Sequence, residues 1–586
     1  MSDLYTTLKV RLQQAIRKSF GDEYLDVDPL LRSTQDPKFG DFQANVAMSL
    51  AKPLKRKPRE IAETICANAE LHDLCEDPEI AGPGFINLRI LPGAIAEQLL
   101  ALADNDRLAI DKDSHPQTVV VDYSGPNVAK EMHVGHLRST IIGDAIAKVL
   151  EFLGHKVIRQ NHLGDWGTQF GMLIEHLIDS GWTLEEGNSI GDLNVLYQES
   201  KKRFDADTDF AERARQRVVA LQSGDTQTRA LWQELVKASR YYFGEVYQRL
   251  DVSLQDNDAR GESAYNNTLQ ETIEELSSKG LTQIDQGATV VYLPDFVGRD
   301  DKPLPLIVQK SDGGYLYATT DLACLRYRIR ELHAERVIYV TDARQSQHFA
   351  MLFKTAELAG WLNNQVTLEH VPFGSVLGED GKPFKTRSGE VVRLIELIEE
   401  AERRALDVVS SKNPDLSREQ QRQVATTVGV GAIKYADLSS DRVKDYVFAW
   451  DRMLAMEGNT APYLQYAYTR VQSIFRKGLL QLADTDVTKL HATHIELKEP
   501  VEKQLALQLF QLESVLHAVA ERLEPHRLCN YLFEIATLFS SFYEACPVLK
   551  AHSETSRTTR LLLCELTART LKLGLNLLGI RVLEQM

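Results

Sequence analysis

The sequence predicts a three-part fold: an α/β, Rossmann-like nucleotide-binding domain carrying an inserted domain, preceded by an N-terminal α/β domain and followed by an all-α C-terminal helix bundle. Four observations predict it. Thr118 to Val121, between polar Gln117 and Asp122, has the length and β-branched content of a parallel strand covered on both faces. Pro126 and Asn127 break that strand, and Leu137, Ile141, Ile142, Ala145, Val149 and Phe152 then recur at helical spacing until Gly154. Lys156 to Gln160 reads as a second strand, completing the start of a βαβ unit, with the polar turn Asn161-His162-Leu163-Gly164-Asp165 at its carboxyl end. Near the other terminus, Leu505, Leu509, Leu512, Leu516, Val519 and Leu523 repeat at four-three spacing, as do Leu528, Leu532, Ile535, Phe539 and Phe542, which is the pattern of a helix-bundle core.

The remaining elements follow in order. Residues 1–110 form the N-terminal unit, with a helix over Leu4 to Ile16, a turn at Asp36 to Phe42, a helix near Ala44 to Ala51 and a strand in Gly84 to Leu88. Lys52 to Arg59 carries five positive charges in eight residues and reads as a loop, with Lys55, Arg56 and Lys57 at its centre. The nucleotide-binding domain occupies 117–395 and is interrupted by a charged, mostly helical insertion over about 175–285. Strands at Thr289 to Leu293 and Leu304 to Lys310, with the turn signal Ser311 to Gly314, are expected to bring the chain back to the core sheet, which Val337 to Val340 then extends. Residues 396–586 are expected to be helical throughout.

Composition narrows the function classes. The chain has 586 residues, 43% of them hydrophobic and 26% charged, as in ordinary globular proteins. No run of about 18 apolar residues is present and Met1 to Leu30 is charged throughout, so neither a membrane span nor a secretory signal is expected and the cytoplasm is the expected compartment. The six cysteines form no zinc-like spacing and read as buried free thiols, and no protein-bound metal is predicted. A net charge of -16 argues against general nucleic-acid binding while leaving room for a local basic face.

The chemistry-bearing motif is Asp122-Tyr-Ser124-Gly-Pro-Asn127, followed by Lys130 and by His133-Val-Gly135-His136. Its two histidines fall at the first turn of a helix, where unpaired backbone N–H groups and the positive dipole end favour phosphate, and Gly135 leaves room for a flat base. The string resembles class I aminoacyl-tRNA synthetases, and in particular the bacterial type of arginyl-tRNA synthetase. The segments Pro525 to Leu532 and Phe542 to Pro547 resemble the anticodon-binding bundle named for Asp-Ala-Leu-Arg, although that tetrapeptide does not occur here.

The resemblance implies ligation of L-arginine to tRNA(Arg) through an arginyl-adenylate, with ATP as substrate accompanied by Mg2+ and with AMP and pyrophosphate released. It also implies a monomer. Lys130, His133, His136, Lys382 and Lys385 would be catalytic, and His133, Gly135, His136, Lys385 and Arg387 would bind ATP. The second class I signature, Lys-Met-Ser-Lys-Ser, is replaced by Gly378-Glu-Asp-Gly-Lys382-Pro-Phe-Lys385-Thr-Arg387-Ser-Gly389, so which lysine acts stays open and Lys130 is expected to supply the missing charge. Arginine would be held by Asp122, Asn127, His136, Tyr317, Asp321 and Gln345, with Ser124 and Glu262 weaker candidates. A carboxylate beside an aromatic wall suits the planar five-donor guanidinium, and Asp321 is expected in the first turn of a helix capped by Thr319 or Thr320. Lys55, Arg56 and Lys57 would touch tRNA. The rival readings are another class I synthetase, chiefly a cysteinyl enzyme with its zinc set, a small-molecule nucleotidyltransferase, and a catalytically silent tRNA-binding paralogue. A chain ended near residue 460 is expected to keep the arginine and ATP site but not to charge tRNA.

Overall fold

The computed structural model describes residues 4–34, 36–181, 190–298, 302–363, 365–384, 392–478 and 495–586. At its centre is a five-stranded, wholly parallel sheet of β1 (Thr118–Asp122), β2 (Lys156–Leu163), β3 (Ala259–Gly261), β4 (Arg336–Asp342) and β5 (Thr367–Phe373), in the order β5-β4-β1-β2-β3. The order reverses between β1 and β4, and the carboxyl ends of strands at such a reversal open a ligand crevice. Both faces are covered, as the uninterrupted apolar runs require. Val119, Val121, Ile338 and Val340 enter one core, while Val120, Val337 and Tyr339 enter the other.

Six helices matter to the site: α1 (Val134–Phe152), α2 (Thr226–Arg249), α3 (Tyr317–Arg330), α4 (Ser346–Leu358), α5 (Leu394–Lys412) and α6 (Arg418–Leu438). Gly143 lets α1 lie directly on the strand end, since a Cβ there would sit 2.3 Å from the Tyr123 side chain. Gly154, at φ 97, turns the chain out of the helix into β2.

The structure departs from the sequence reading in four places. β2 runs three residues further than expected, because Asn161, His162 and Leu163 pair with Ala259, Arg260 and Gly261, so the polar "turn" is still strand. The same pairing returns the chain to the sheet at residue 259, earlier than the expected end of the insertion. The strands around 289 and 304 do not join the central sheet. They form a separate antiparallel sheet of Thr282–Asp285, Ala288–Val297 and Pro303–Gln309, whose inner residues Val291, Leu293, Leu306 and Val308 cover the second core. The basic stretch is mostly helix: Lys52 lies in the last turn of Val46–Leu54, Pro58 begins Pro58–Asn68, and only Lys55 to Lys57 lie in the bend, with Lys55 at φ 51.

Among the described residues the N-terminal unit has a four-stranded antiparallel sheet and four α-helices (Leu4–Phe20, Val46–Leu54, Pro58–Asn68 and Pro92–Ala103), and it rests on the C-terminal bundle through Lys503, whose Nζ lies 2.7 Å from Asp41 Oδ2. One hydrophobic core runs from Leu8 through Leu137 and Ile433 to Leu571. Ending the chain near 460 would strip a wall from that core, so the packing argues against a site that survives such a truncation.

The bundle also grips α1 by charge. Arg138, 1% exposed, donates from Nε to both oxygens of Asp437 at 3.2 and 3.1 Å and from Nη1 to Lys444 O at 3.1 Å. Asp437→Asn removes the partner of a buried cation and should lower stability by about 3–5 kcal/mol. Denaturant unfolding checks this, and a loss below about 1 kcal/mol would show the pair to be dispensable.

Candidate active site

At the end of β1 the backbone makes an unusual descent. Ser124, Gly125 and Ala129 all have positive φ (75, 54 and 61), and the two non-glycine residues tolerate it because their surroundings hold them there. Ser124 N donates to Ser139 Oγ at 2.9 Å, its hydroxyl lies 2.8 Å from Tyr247 OH on α2, and Thr140 Oγ1 donates to it at 2.9 Å. Ala129 N donates to Ser239 Oγ at 2.9 Å, again on α2. The hydroxyl of Ser124 is therefore engaged within the fold. Asn127 is exposed above the end of β2, where a Cβ on Gly164 would lie 2.2 Å from its Oδ1.

His133 caps α1. Its Nδ1 accepts from Gly135 N at 3.0 Å, and His136 Nδ1 accepts from His133 N at 3.1 Å, with the rings 4.1 Å apart. An Nδ1 that accepts carries no proton, so both rings have their hydrogen on Nε2. Burial, with a smaller effect from Lys130, lowers the pKa of His133, and burial followed by His133 pushes that of His136 down to about 3. The pair is thus neutral near pH 7 and presents N–H donors at a helix N-terminus. Gly135 is explained by the cap, since a Cβ would meet His133 Cε1 at 2.7 Å.

Lys130 places its ammonium 4.4 Å from the ring centre of Tyr197, a residue of the insertion helix Ile190–Ala206. Met132 to Leu394 is zipped by backbone bonds, Val134 N to Val392 O at 3.0 Å and Leu394 N to Met132 O at 2.9 Å. That pairing fixes one flank of the lysine loop beside His133. The other flank is a turn at Gly378 to Lys382, with Lys382 exposed and Phe384 stacked 4.6 Å from Phe448. Lys385 and Arg387 lie outside the described residues.

The second half of the site faces α3. Asp122, 8% exposed, receives Nη2 of the fully buried Arg328 at 2.6 Å. Tyr317 is 73% exposed at the first position of α3, and the N-cap is Leu316 with no side-chain bond, not Thr319 or Thr320. Thr319 instead donates to Val308 O. Asp321 consequently sits in the second turn, four residues after Tyr317, which puts the two on one helical face. Asp321 Oδ2 is 2.6 Å from His348 Nε2 on α4 and its Oδ1 is 3.9 Å from His162 Nε2 on β2. Glu262 is raised to about 7 by burial, with Asp321 and Asp165 adding to the rise and His162 opposing it. Gln345 is exposed at the N-cap of α4.

The structure brings the sequence candidates Asp122, Asn127, His133, His136, Tyr317, Asp321 and Gln345 to the carboxyl side of one sheet. Sequence reasoning gave no role to His162, Arg328, Tyr247 or His348. His348 follows Gln345 by three residues, a spacing that would have flagged it; Arg328 and Tyr247 act across more than a hundred residues and leave no local signal. Lys55, Arg56 and Lys57 are exposed on the N-terminal unit, where Arg56 also reaches Thr64 Oγ1 at 3.2 Å. Among the described residues, no group of three His, Cys, Asp or Glu side chains is placed to hold a metal ion.

A parallel sheet with a His-x-Gly-His cap at its reversal, followed by a helical bundle, is the arrangement of a class I aminoacyl-tRNA synthetase. Family models agree along the chain: an arginyl tRNA synthetase N-terminal domain matches residues 6–90, the catalytic domain of the class I (R) tRNA synthetases 98–450, and a DALR anticodon binding domain 464–586. Arginine–tRNA ligases from a Synechococcus strain and from Thermobifida fusca are 54% and 51% identical over 99% and 100% of both chains. The arginyl-tRNA synthetase structure from Plasmodium falciparum superposes with a TM-score of 0.86 at 33% identity, covering all of both chains. The chain belongs to the arginyl-tRNA synthetase family.

The cap geometry makes a direct prediction. Long-range 15N–1H spectra should show His136 as the Nε2–H tautomer, without titration between about pH 5 and 8. A midpoint near 6.5 would mean that the cap does not form.

Proposed function

We propose that this chain activates L-arginine with ATP and transfers it to tRNA(Arg), releasing AMP and pyrophosphate, with the roles divided across the two halves of the crevice. The observation that carries the reading is the pairing of an N–H-rich helix cap on one side of β1 with the Tyr317 and Asp321 face on the other. Activation joins the arginine carboxylate to the α-phosphate, so the protein's task is positioning and stabilising charge on the phosphoryl oxygens. The Nε2–H groups of His133 and His136 donate to ATP phosphates, and Gly135 offers an open backbone to the nucleotide. Lys130, Lys382, Lys385 and Arg387 supply the cationic charge that the neutral histidines do not. Mg2+ enters with ATP, as the counter-ion of its phosphates.

Asp321 binds the guanidinium, Tyr317 forms its aromatic wall, and Glu262 adds a second carboxylate that ionises when the cation arrives. Asn127, His136 and Gln345 hold the α-amino and carboxylate groups, and Asp122 contributes through the oxygen that Arg328 leaves free. Ser124 serves by fixing the backbone beneath them. Lys55, Arg56 and Lys57 form a phosphate contact for tRNA on an otherwise acidic protein. The N-terminal unit over 1–110, the catalytic domain over 117–395 and the bundle over 396–586 divide tRNA contact, chemistry and anticodon recognition between them. The chain works as a monomer in the cytoplasm. Among the described residues, no helix is long and apolar enough to cross a membrane.

Charging assays separate these roles. Asp321→Asn keeps shape and removes charge, so the arginine KM should rise by roughly 30-fold or more, from about 2–5 kcal/mol for a paired charge, while the ATP KM holds. An unchanged arginine KM would overturn the pocket. Lys130→Ala should lower kcat by roughly 100-fold with little change in arginine KM, as when one transition-state donor is lost. A variant within about threefold of wild type would leave Lys130 as a partner of Tyr197 alone.

A further inference from the structure

Asp321 is already engaged within the chain. His348 Nε2 approaches its Oδ2 at 2.6 Å, a distance typical of charge-assisted bonds, and since a carboxylate only accepts, Nε2 must carry the hydrogen. Neither group is sealed off: the side chains are 24% and 30% exposed. A guanidinium seeks both oxygens of a carboxylate with its planar fork, so it must take the position His348 holds. We propose that His348 is the internal counter-ion of Asp321 and a positioning residue for arginine, giving up a proton as the guanidinium replaces it. The inference rests on the reading of Asp321 as the guanidinium carboxylate.

The exchange balances. The imidazolium loses one ring proton to solvent, the Asp321 oxygens pass from one cation to another, and the net charge around the carboxylate is unchanged. The bond to Asp321 raises the pKa of His348 against the opposing effect of burial, so the imidazolium form is present below that raised value and is lost above it. Arginine therefore competes with a proton at low pH and binds more tightly as pH rises.

Other groups around the pair are accounted for as follows. On β5 behind Phe349, His370 is pushed down to about 4 by burial and stays neutral, and Glu369 is tied to Arg336. Asp342 and Arg344, in the turn before α4, neutralise each other at 2.7 Å. On the antiparallel sheet packed against α4, Tyr292 donates to Asp285 and Asp295 is exposed. Around Asp321 itself, Asp122 is paired with Arg328, and Asp165 accepts twice from Ser263. Burial opposes charge on His162, but Cys324, Asp122 and Asp321 raise it overall. Glu262, near 7, releases its own proton when arginine binds, so its contribution must be subtracted.

Calorimetric titration of L-arginine into the full-length protein, in two buffers of different ionisation enthalpy, counts released protons across about pH 5.5–8. Wild type should release protons and bind more tightly with rising pH. His348→Gln keeps an amide that can donate to Asp321 but cannot titrate, so it should release fewer protons and lose up to about tenfold per pH unit of that dependence. Glu262→Gln should retain the His348 share. Equal proton release by wild type and His348→Gln, or no release by Glu262→Gln, would overturn the proposal while leaving arginine binding intact. Unweakened arginine binding by Asp321→Asn would instead remove the reading beneath it.

Discussion

The site depends on one buried ion pair. Arg328, with no exposed surface, reaches from α3 to Asp122 at the last position of β1 and so ties the helix bearing Tyr317 and Asp321 to the strand that leads into the histidine cap. Two half-sites on different elements are held in register by a single carboxylate. The guanidinium also lies 4.9 Å from the Tyr339 ring on β4, so the pair spans the reversal point of the sheet. Such a pair contributes little net stability once desolvation is counted, but losing either partner leaves a buried charge uncompensated. Its value is geometric: the spacing between the histidine cap and the Tyr317 and Asp321 face is fixed by the fold itself.

The histidine cap changes the electrostatic picture that the motif suggests. Histidine near a phosphate invites the assumption of positive charge, yet here both Nδ1 atoms are committed to backbone N–H groups and both pKa values are lowered. What the rings offer is direction. Two Nε2–H donors stand where a helix dipole already favours anions, the backbone N–H groups of Val134, Gly135 and His136 being taken up by Val392 O, His133 Nδ1 and His133 O. Formal charge has to come from lysines and arginines on flexible stems.

Much of this was legible in the sequence because its signals are local. Thr118 to Asp122, the spacing from Leu137 to Phe152, and the Val337 strand need only neighbouring residues to be recognised, and so does the histidine cap. The central sheet's third strand, Ala259–Gly261, was invisible because three residues with one glycine carry no periodicity; its register with Asn161 to Leu163 makes it a strand. The antiparallel sheet at 282–309 has strand-like composition that says nothing about which sheet it joins. The cap of α3 was misread because Thr319, a good capping residue, found a better partner in a carbonyl across the second core. His348, Arg328 and Tyr247 were missed because their roles are defined by partners that only folding brings near.

Helix α1 has one more property. Its N-terminus carries the histidines, its second turn is locked to α6 by Arg138, and its flank packs against the bundle helices Leu512–Arg522 and Glu554–Leu577. It is therefore an axle shared by two machines, borne at one end by the nucleotide crevice and along its side by the bundle. With side chains interlocked at crystal-like density, an axle of this kind transmits displacement instead of absorbing it. A tilt of the bundle by even a fraction of an ångström at α1 arrives at the two Nε2–H donors as a change of aim.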